Sequence, residues 1–125
     1  MILGVGIDMA EVERIAASIS KESGFRELVF SEAEIAYCES KTQKFEHYAA
    51  RFAAKEAFFK ALGTGWADNT SFNEVEIINT ANGKPEINLT GLTFETIGKA
   101  GELRFSVSLT HTKTMASAIV IIEKQ

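Results

Sequence analysis

Phe45-Glu-His-Tyr-Ala-Ala-Arg51-Phe-Ala-Ala-Lys55-Glu56-Ala-Phe-Phe-Lys60-Ala-Leu62 is the stretch that decides the fold. Ala, Phe, Lys, Glu and Leu dominate it, no proline interrupts it, and Gly63 follows where a C-cap glycine is favoured, so a helix is predicted over Phe45–Leu62. At about 100° per residue, Glu56 and Lys60 share one face, while Arg51 and Lys55 share another. From Arg51 to Leu62 the remaining positions are Phe, Ala and Leu on all sides. A helix that is apolar all round is buried, and its few charges then need partners. An ordinary exposed i,i+4 Glu–Lys pair, worth ~0.3 kcal/mol, accounts for Glu56 and Lys60 but not for the apolar surroundings.

Working outward, Ser31-Glu-Ala-Glu34 matches a capping box and predicts a helix beginning there. Ala10–Ser23 carries Val12, Ile15, Ala16 and Ile19 at helical spacing, with Gly24 as its stop. Met1–Ile7 reads as a buried strand ending at Asp8. On the other side of the long helix, Ser71–Asn79 and Pro85–Leu89 read as strands joined through Asn82-Gly83, a hairpin signal. Leu92–Lys99 is a short helix candidate. Arg104–Leu109 and Met115–Ile122 read as strands around a turn at Thr110–Thr114. A strand, then helices, then several strands is an α+β order.

The chain has 125 residues, with 46% apolar and 24% charged side chains, which suits one domain over residues 1–125 with a real core. Thirteen Lys and Arg against seventeen Asp and Glu give a net charge of −4, a poor match to a general nucleic-acid binder. The single cysteine, Cys38, excludes a disulfide within the chain and suits a reducing compartment. The most apolar stretches, Met1–Ile7 and Met115–Ile122, fall short of the ~20 residues of a membrane span. Met1–Ile7 lacks a basic leader and so does not read as a secretion signal. The expectation is a soluble, cytoplasmic protein with no membrane and no nucleic-acid partner.

Several residues carry chemistry-bearing groups, and each also has an ordinary structural reading. Asp8 at a strand end is either a helix N-cap or a rigid carboxylate suited to a hard cation. Gly63-Thr64-Gly65 is either a helix stop or a glycine loop admitting a phosphate. No Walker A motif is present. His111, in Ser108-Leu-Thr-His111-Thr112-Lys113, is either a hydrogen-bonded structural histidine or a ligand-binding one. His47, His111 and Cys38 are too few for a structural zinc site, and no nucleophile-elbow sequence supports a Ser–His–Asp triad.

Taken together, these segments resemble a specific family. Gly6-Ile-Asp8-Met-Ala-Glu-Val-Glu-Arg14-Ile15 and Arg51-Phe-Ala-Ala-Lys55-Glu56-Ala-Phe-Phe-Lys60-Ala-Leu-Gly-Thr-Gly65 are similar to the two signatures of the bacterial holo-[acyl-carrier-protein] synthases. This is the short branch of the 4′-phosphopantetheinyl transferases. Phe30-Ser31-Glu32, Asn82-Gly83-Lys84-Pro85 and Ser108–Thr112 follow the same pattern, so the match runs nearly end to end. Ala53 stands where the wider superfamily often has Ser, Thr or Cys, as is common in the short branch.

The resemblance implies transfer of 4′-phosphopantetheine from coenzyme A to a serine of apo acyl carrier protein, releasing adenosine 3′,5′-bisphosphate. It implies Mg²⁺ held by Asp8 and Glu56, with Lys60 at the departing phosphate. It further implies that Arg51 and His111, with Thr112, hold the 3′-phosphate of coenzyme A, with Gly63, Gly65 and Pro85 shaping the nucleotide pocket and Lys44 and Lys55 as further candidates. The fold implied is helices packed on an antiparallel sheet, assembled as a homotrimer with sites between subunits. The carrier serine is then the nucleophile, which agrees with the absence of a convincing triad.

Acyl carrier proteins are acidic, so docking to a chain at −4 needs a local basic face. Arg14 and Lys21 lie seven residues apart on one predicted helix face, and Arg26 follows; these are the docking candidates. The rival readings are a non-catalytic trimeric coenzyme A-binding protein, which would not need both Asp8 and Glu56, and another Mg-dependent phosphoryl-transfer enzyme.

Overall fold

A computed structural model describes residues 1–63, 69–98 and 102–125. Its elements are β1 (Ile2–Glu11), α1 (Val12–Ser20), α2 (Phe25–Val29), α3 (Glu32–Glu39), α4 (Lys44–Leu62), β2 (Val75–Asn79), β3 (Pro85–Leu89), α5 (Gly91–Thr96), β4 (Leu103–His111) and β5 (Met115–Lys124). The α+β order holds. The strands form two antiparallel sheets, one of three strands in the order β1-β5-β4 and one formed by β2 and β3.

The apolar helix is α4, and it is buried as its composition requires. Tyr48, Ala49, Ala53, Ala54, Ala57 and Phe58 are fully inaccessible. It lies across β1 and β5, with α1 and α3 also against it. Its alanines let the backbones approach closely, and two glycines of β1 complete the fit. A Cβ on Gly6 would collide with the carbonyl oxygen of Ala57, and one on Gly4 with that of Ala61. Gly4, Gly6, Asp8 and Ala10 therefore form the face of β1 that meets α4, by the two-residue period of a strand. Gly63 ends α4 in the left-handed region, at φ 81°.

β1 differs from expectation in one respect that matters for function. The strand does not stop at Asp8; it pairs with β5 as far as Glu11 against Met115, and Asp8 stands opposite Ala118. Asp8 is therefore no helix cap. Helix α1 begins only at Val12, and its N-cap residue, Glu11, makes no side-chain cap bond. The strand continues because β5 offers it a full ladder of partners, which the local apolar pattern of Met1–Ile7 does not report.

Other boundaries shift for similar reasons. Helix α2 was not apparent in the sequence, since five residues are too few for a periodic signal. Phe72–Glu74 forms a turn of 3₁₀ helix before β2 begins. β4 extends through His111, so the turn shrinks to Thr112–Thr114. The capping box at Ser31 forms as predicted: its hydroxyl accepts from Glu34 N, and the Glu34 carboxylate accepts from Ser31 N.

Candidate active site

The close packing of β1 on α4 brings Asp8 beside the turn of α4 that carries Glu56 and Lys60. Lys60 Nζ donates to Asp8 Oδ1 at 2.9 Å and to the Ile7 carbonyl at 3.1 Å. Among the described residues its ion pair is thus with Asp8 on the neighbouring strand rather than with Glu56 one turn back. The Glu56 carboxyl is held above the usual carboxylate range, first by partial burial and then by the negative charge of Asp8, against the pull of Lys60. The hydrogen bond from Lys60 to Asp8, and then the Asp8 charge, hold the ammonium above its ordinary range. Asp8, Glu56 and Lys60 line one cavity of about 550 Å³, together with Arg14, Phe25 and Phe52.

The Asp8 and Glu56 carboxylates share this cavity wall, with the Lys60 ammonium paired to Asp8. Among the described residues no group of three or more His, Cys, Asp or Glu side chains could cage a metal. The donor set therefore fits a hard cation that keeps waters and substrate oxygens, and not one enclosed by protein ligands alone.

Arg51 lies on a different face of α4, as the helical spacing predicts. Its side chain is buried, Nη2 donates to Asn79 Oδ1 at 2.6 Å, and the guanidinium stacks 4.1 Å above the Tyr37 ring centre. It lines a second cavity of about 330 Å³ with Tyr37, Ile77, Asn79 and Thr80. Pro85 pairs directly across the ladder from Asn79, so it borders the partner of Arg51. His111 sits at the end of β4 with Nδ1 2.8 Å from Glu46 Oε1. The Thr112 hydroxyl is used in the turn, accepting from Thr114 N at 3.3 Å and Met115 N at 3.2 Å. Gly63 caps α4; Gly65 lies outside the described residues. The structure thus places the predicted carboxylate cluster at one cavity and Arg51 at another, with His111 at the end of β4.

The three docking candidates have different surroundings. The Arg14 side chain is 80% exposed beside the Asp8 cavity, 3.7 Å from Glu11. Lys21 is exposed at the end of α1. Arg26 is engaged by Glu27 at 2.8 Å and Glu39 at 3.4 Å, which offsets its charge locally. Lys44 also pairs with Glu39, at 3.3 Å.

Lys55 is fully buried, and Nζ donates to Glu34 Oε1 at 2.7 Å, the Phe72 carbonyl at 2.8 Å and the Val75 carbonyl at 2.6 Å. All three of its donors are spent on the protein, so none remains for a ligand. Glu34 Oε2 accepts in turn from Ile77 N at 2.9 Å. Sequence reasoning found Glu34 only as a cap and missed Tyr37, Glu46, His47 and Asn79 around Arg51 and His111. The i,i+4 spacing of His47 and Arg51 was the one available signal.

Residues 4–118 match the 4′-phosphopantetheinyl transferase superfamily. A holo-[acyl-carrier-protein] synthase of Cytophaga hutchinsonii is 47% identical, with 99% of each chain covered. Among solved structures, the fold is similar to a holo-[acyl-carrier-protein] synthase from Neisseria meningitidis, with a TM-score of 0.89, 32% identity, and 99% of this chain and 100% of that one covered. It is also similar to one from Bacillus anthracis in complex with CoA (3′,5′-ADP), with a TM-score of 0.82, 34% identity, and 100% and 99% covered. The chain belongs to the 4′-phosphopantetheinyl transferase superfamily and, within it, to the enzymes named holo-[acyl-carrier-protein] synthase.

Proposed function

We propose that this enzyme transfers 4′-phosphopantetheine from coenzyme A to a serine hydroxyl of apo acyl carrier protein and releases adenosine 3′,5′-bisphosphate. The observation that carries this reading is the Asp8–Glu56 carboxylate pair, with Lys60, on one cavity wall. The Bacillus anthracis relative in complex with CoA (3′,5′-ADP) supports the donor. Asp8 and Glu56 are the residues that would hold Mg²⁺, which supplies charge neutralisation at the diphosphate. The Lys60 ammonium, anchored on Asp8 Oδ1 and the Ile7 carbonyl, places a fixed positive charge beside the departing phosphate. In the transfer the serine oxygen bonds to the pantetheine-side phosphorus as its bond to the bridging oxygen breaks; that oxygen leaves with adenosine 3′,5′-bisphosphate, and the serine proton is released to solvent. Arg51 and His111 hold the 3′-phosphate and so orient the nucleotide end. Intact mass spectrometry of an apo acyl carrier protein incubated with the enzyme, coenzyme A and Mg²⁺ tests the whole reading. A gain of one phosphopantetheine, lost with EDTA, is expected; no gain with two unrelated carrier proteins overturns it.

The enzyme works as a homotrimer with sites between subunits. On β1 the residues alternating with the α4-facing set are Leu3, Val5, Ile7 and Met9, which are 53–65% exposed, and Ile119 stands opposite Ile7. Such an apolar sheet face on an edge strand favours a second copy. The separate placement of the two residue clusters also fits a site completed by a neighbour. Ile7→Glu is expected to convert a trimer to monomers in analytical ultracentrifugation and to abolish transfer; a monomeric wild-type enzyme with full activity refutes the assembly.

Arg14 docks the acidic carrier, because its charge is exposed at the rim of the Asp8 cavity. Arg14→Glu is expected to raise KM for carrier protein by about tenfold or more, with KM for coenzyme A changed less than about twofold. Equal effects on both substrates rule the role out.

A further inference from the structure

Outside the Asp8 cavity, Arg51 and His111 belong to a row of side chains whose other members, Tyr37 and His47, have no part in the reaction as described. Arg51 stacks over Tyr37, the Tyr37 and His47 rings meet edge to face at 5.7 Å, and the His47 and His111 rings lie 5.1 Å apart at 60°. His47 precedes Arg51 by one turn of α4, so helix geometry sets both on one face, with the His47 ring against those of Tyr37 and His111. Lys41 adds a further cation, 4.8 Å above the Tyr37 ring. Lys41, Arg51 and His111 thus face His47 from the loop after α3, from α4 and from β4, and Glu46 opposes them. Arg51 Nε is buried with no hydrogen-bond partner among the described residues. A buried guanidinium N–H without an acceptor, in a cluster of cations, is suited to an oxyanion with several acceptor oxygens.

We propose that His47 is a third ligand-binding residue of the phosphate subsite formed by Arg51 and His111, and that it takes up a proton as the phosphate monoester dianion binds. The proposal rests on the reading of Arg51 and His111 given above. In the free protein the His47 imidazole is pushed below its ordinary value, first by burial and then by the charges of His111, Arg51 and Lys41. It is therefore neutral at pH 7. A dianion bound beside both rings adds negative charge next to His47 and favours the imidazolium, which then donates to phosphate oxygen. The proton comes from solvent.

Isothermal titration calorimetry of the full chain at pH 7, in buffers of different ionisation enthalpy, tests this with coenzyme A and 3′-dephospho-coenzyme A. Wild type is expected to bind coenzyme A about tenfold or more tightly than the dephospho ligand, with net uptake of a fraction of a proton approaching one. His47→Phe keeps the aromatic packing, and His47→Gln keeps a hydrogen-bond donor; neither titrates. Both are expected to lose most of the proton uptake and to keep wild-type affinity for 3′-dephospho-coenzyme A. His47→Phe should bind coenzyme A about three- to tenfold more weakly. Any proton lost by the phosphate itself is common to all three proteins and cancels. Unchanged proton uptake in both variants overturns the proposal, as does an equal loss of affinity for both ligands, which marks a structural role. Wild type that does not distinguish the two ligands overturns instead the assignment of Arg51 and His111 to the phosphate, and His47 with it.

Discussion

Glu56→Gln is expected to lower the rate of phosphopantetheine transfer by about a thousandfold or more, a barrier increase of ~4 kcal/mol. The substitution keeps the volume and shape of the side chain and removes only the charge that, with Asp8, would hold the cation. Asp8→Ala is expected to have an effect of similar size, since it removes the other carboxylate and the anchor of Lys60. The stability readout has the opposite sign. A carboxyl whose folded-state value is raised destabilises the fold as pH rises above its unfolded value, so neutralising Glu56 leaves Tm at pH 8 unchanged or slightly higher. Initial rates by mass spectrometry and thermal melts on the same preparation check both. Activity within about tenfold of wild type in either variant would refute the carboxylate assignment.

Lys55→Met should produce the largest loss of stability, about 3–5 kcal/mol, or roughly 10–20 °C in Tm. The ammonium is fully enclosed and bonded to Glu34 and two carbonyls, so its removal strands a buried carboxylate and two acceptors. Glu34 also accepts from Ser31 N and Ile77 N, which makes the pair a junction of α3, α4 and β2. Adding Glu34→Gln to Lys55→Met should recover part of the loss, because the stranded charge goes while an acceptor remains. A Tm within 3 °C of wild type for Lys55→Met would contradict the junction. The consequence for function is indirect: α4 carries Arg51, Glu56 and Lys60, and this junction fixes where the helix sits.

Much of the architecture is written in local pattern. The composition of Phe45–Leu62 gave the buried helix, its charged residues fell on the faces that spacing predicts, and the capping box placed α3. Strand boundaries and α2 were less legible, because strand ends depend on what the partner strand offers and a five-residue helix has no period to detect. The carboxylates and the cationic residues were readable as residue types, but their surroundings were not. The partners of Arg51 come from Tyr37 and Asn79, 14 and 28 positions away in the chain, and only packing brings them together.

The sequence alone determined the helix–strand order, the all-round apolar character of α4, the residue types able to hold phosphate and a hard cation, and the family likeness. These follow from local propensity and residue chemistry, which travel with the chain. Tertiary structure alone decided that Asp8 lies within a strand and not at a helix cap, that Lys60 pairs with it across elements, that Lys55 is sealed against Glu34, and that the His47 ring meets those of Tyr37 and His111. Each of these depends on how closely two backbones approach, through Gly4 and Gly6 against Ala61 and Ala57 or through the side chains between α3 and α4, and no local window of sequence encodes that distance.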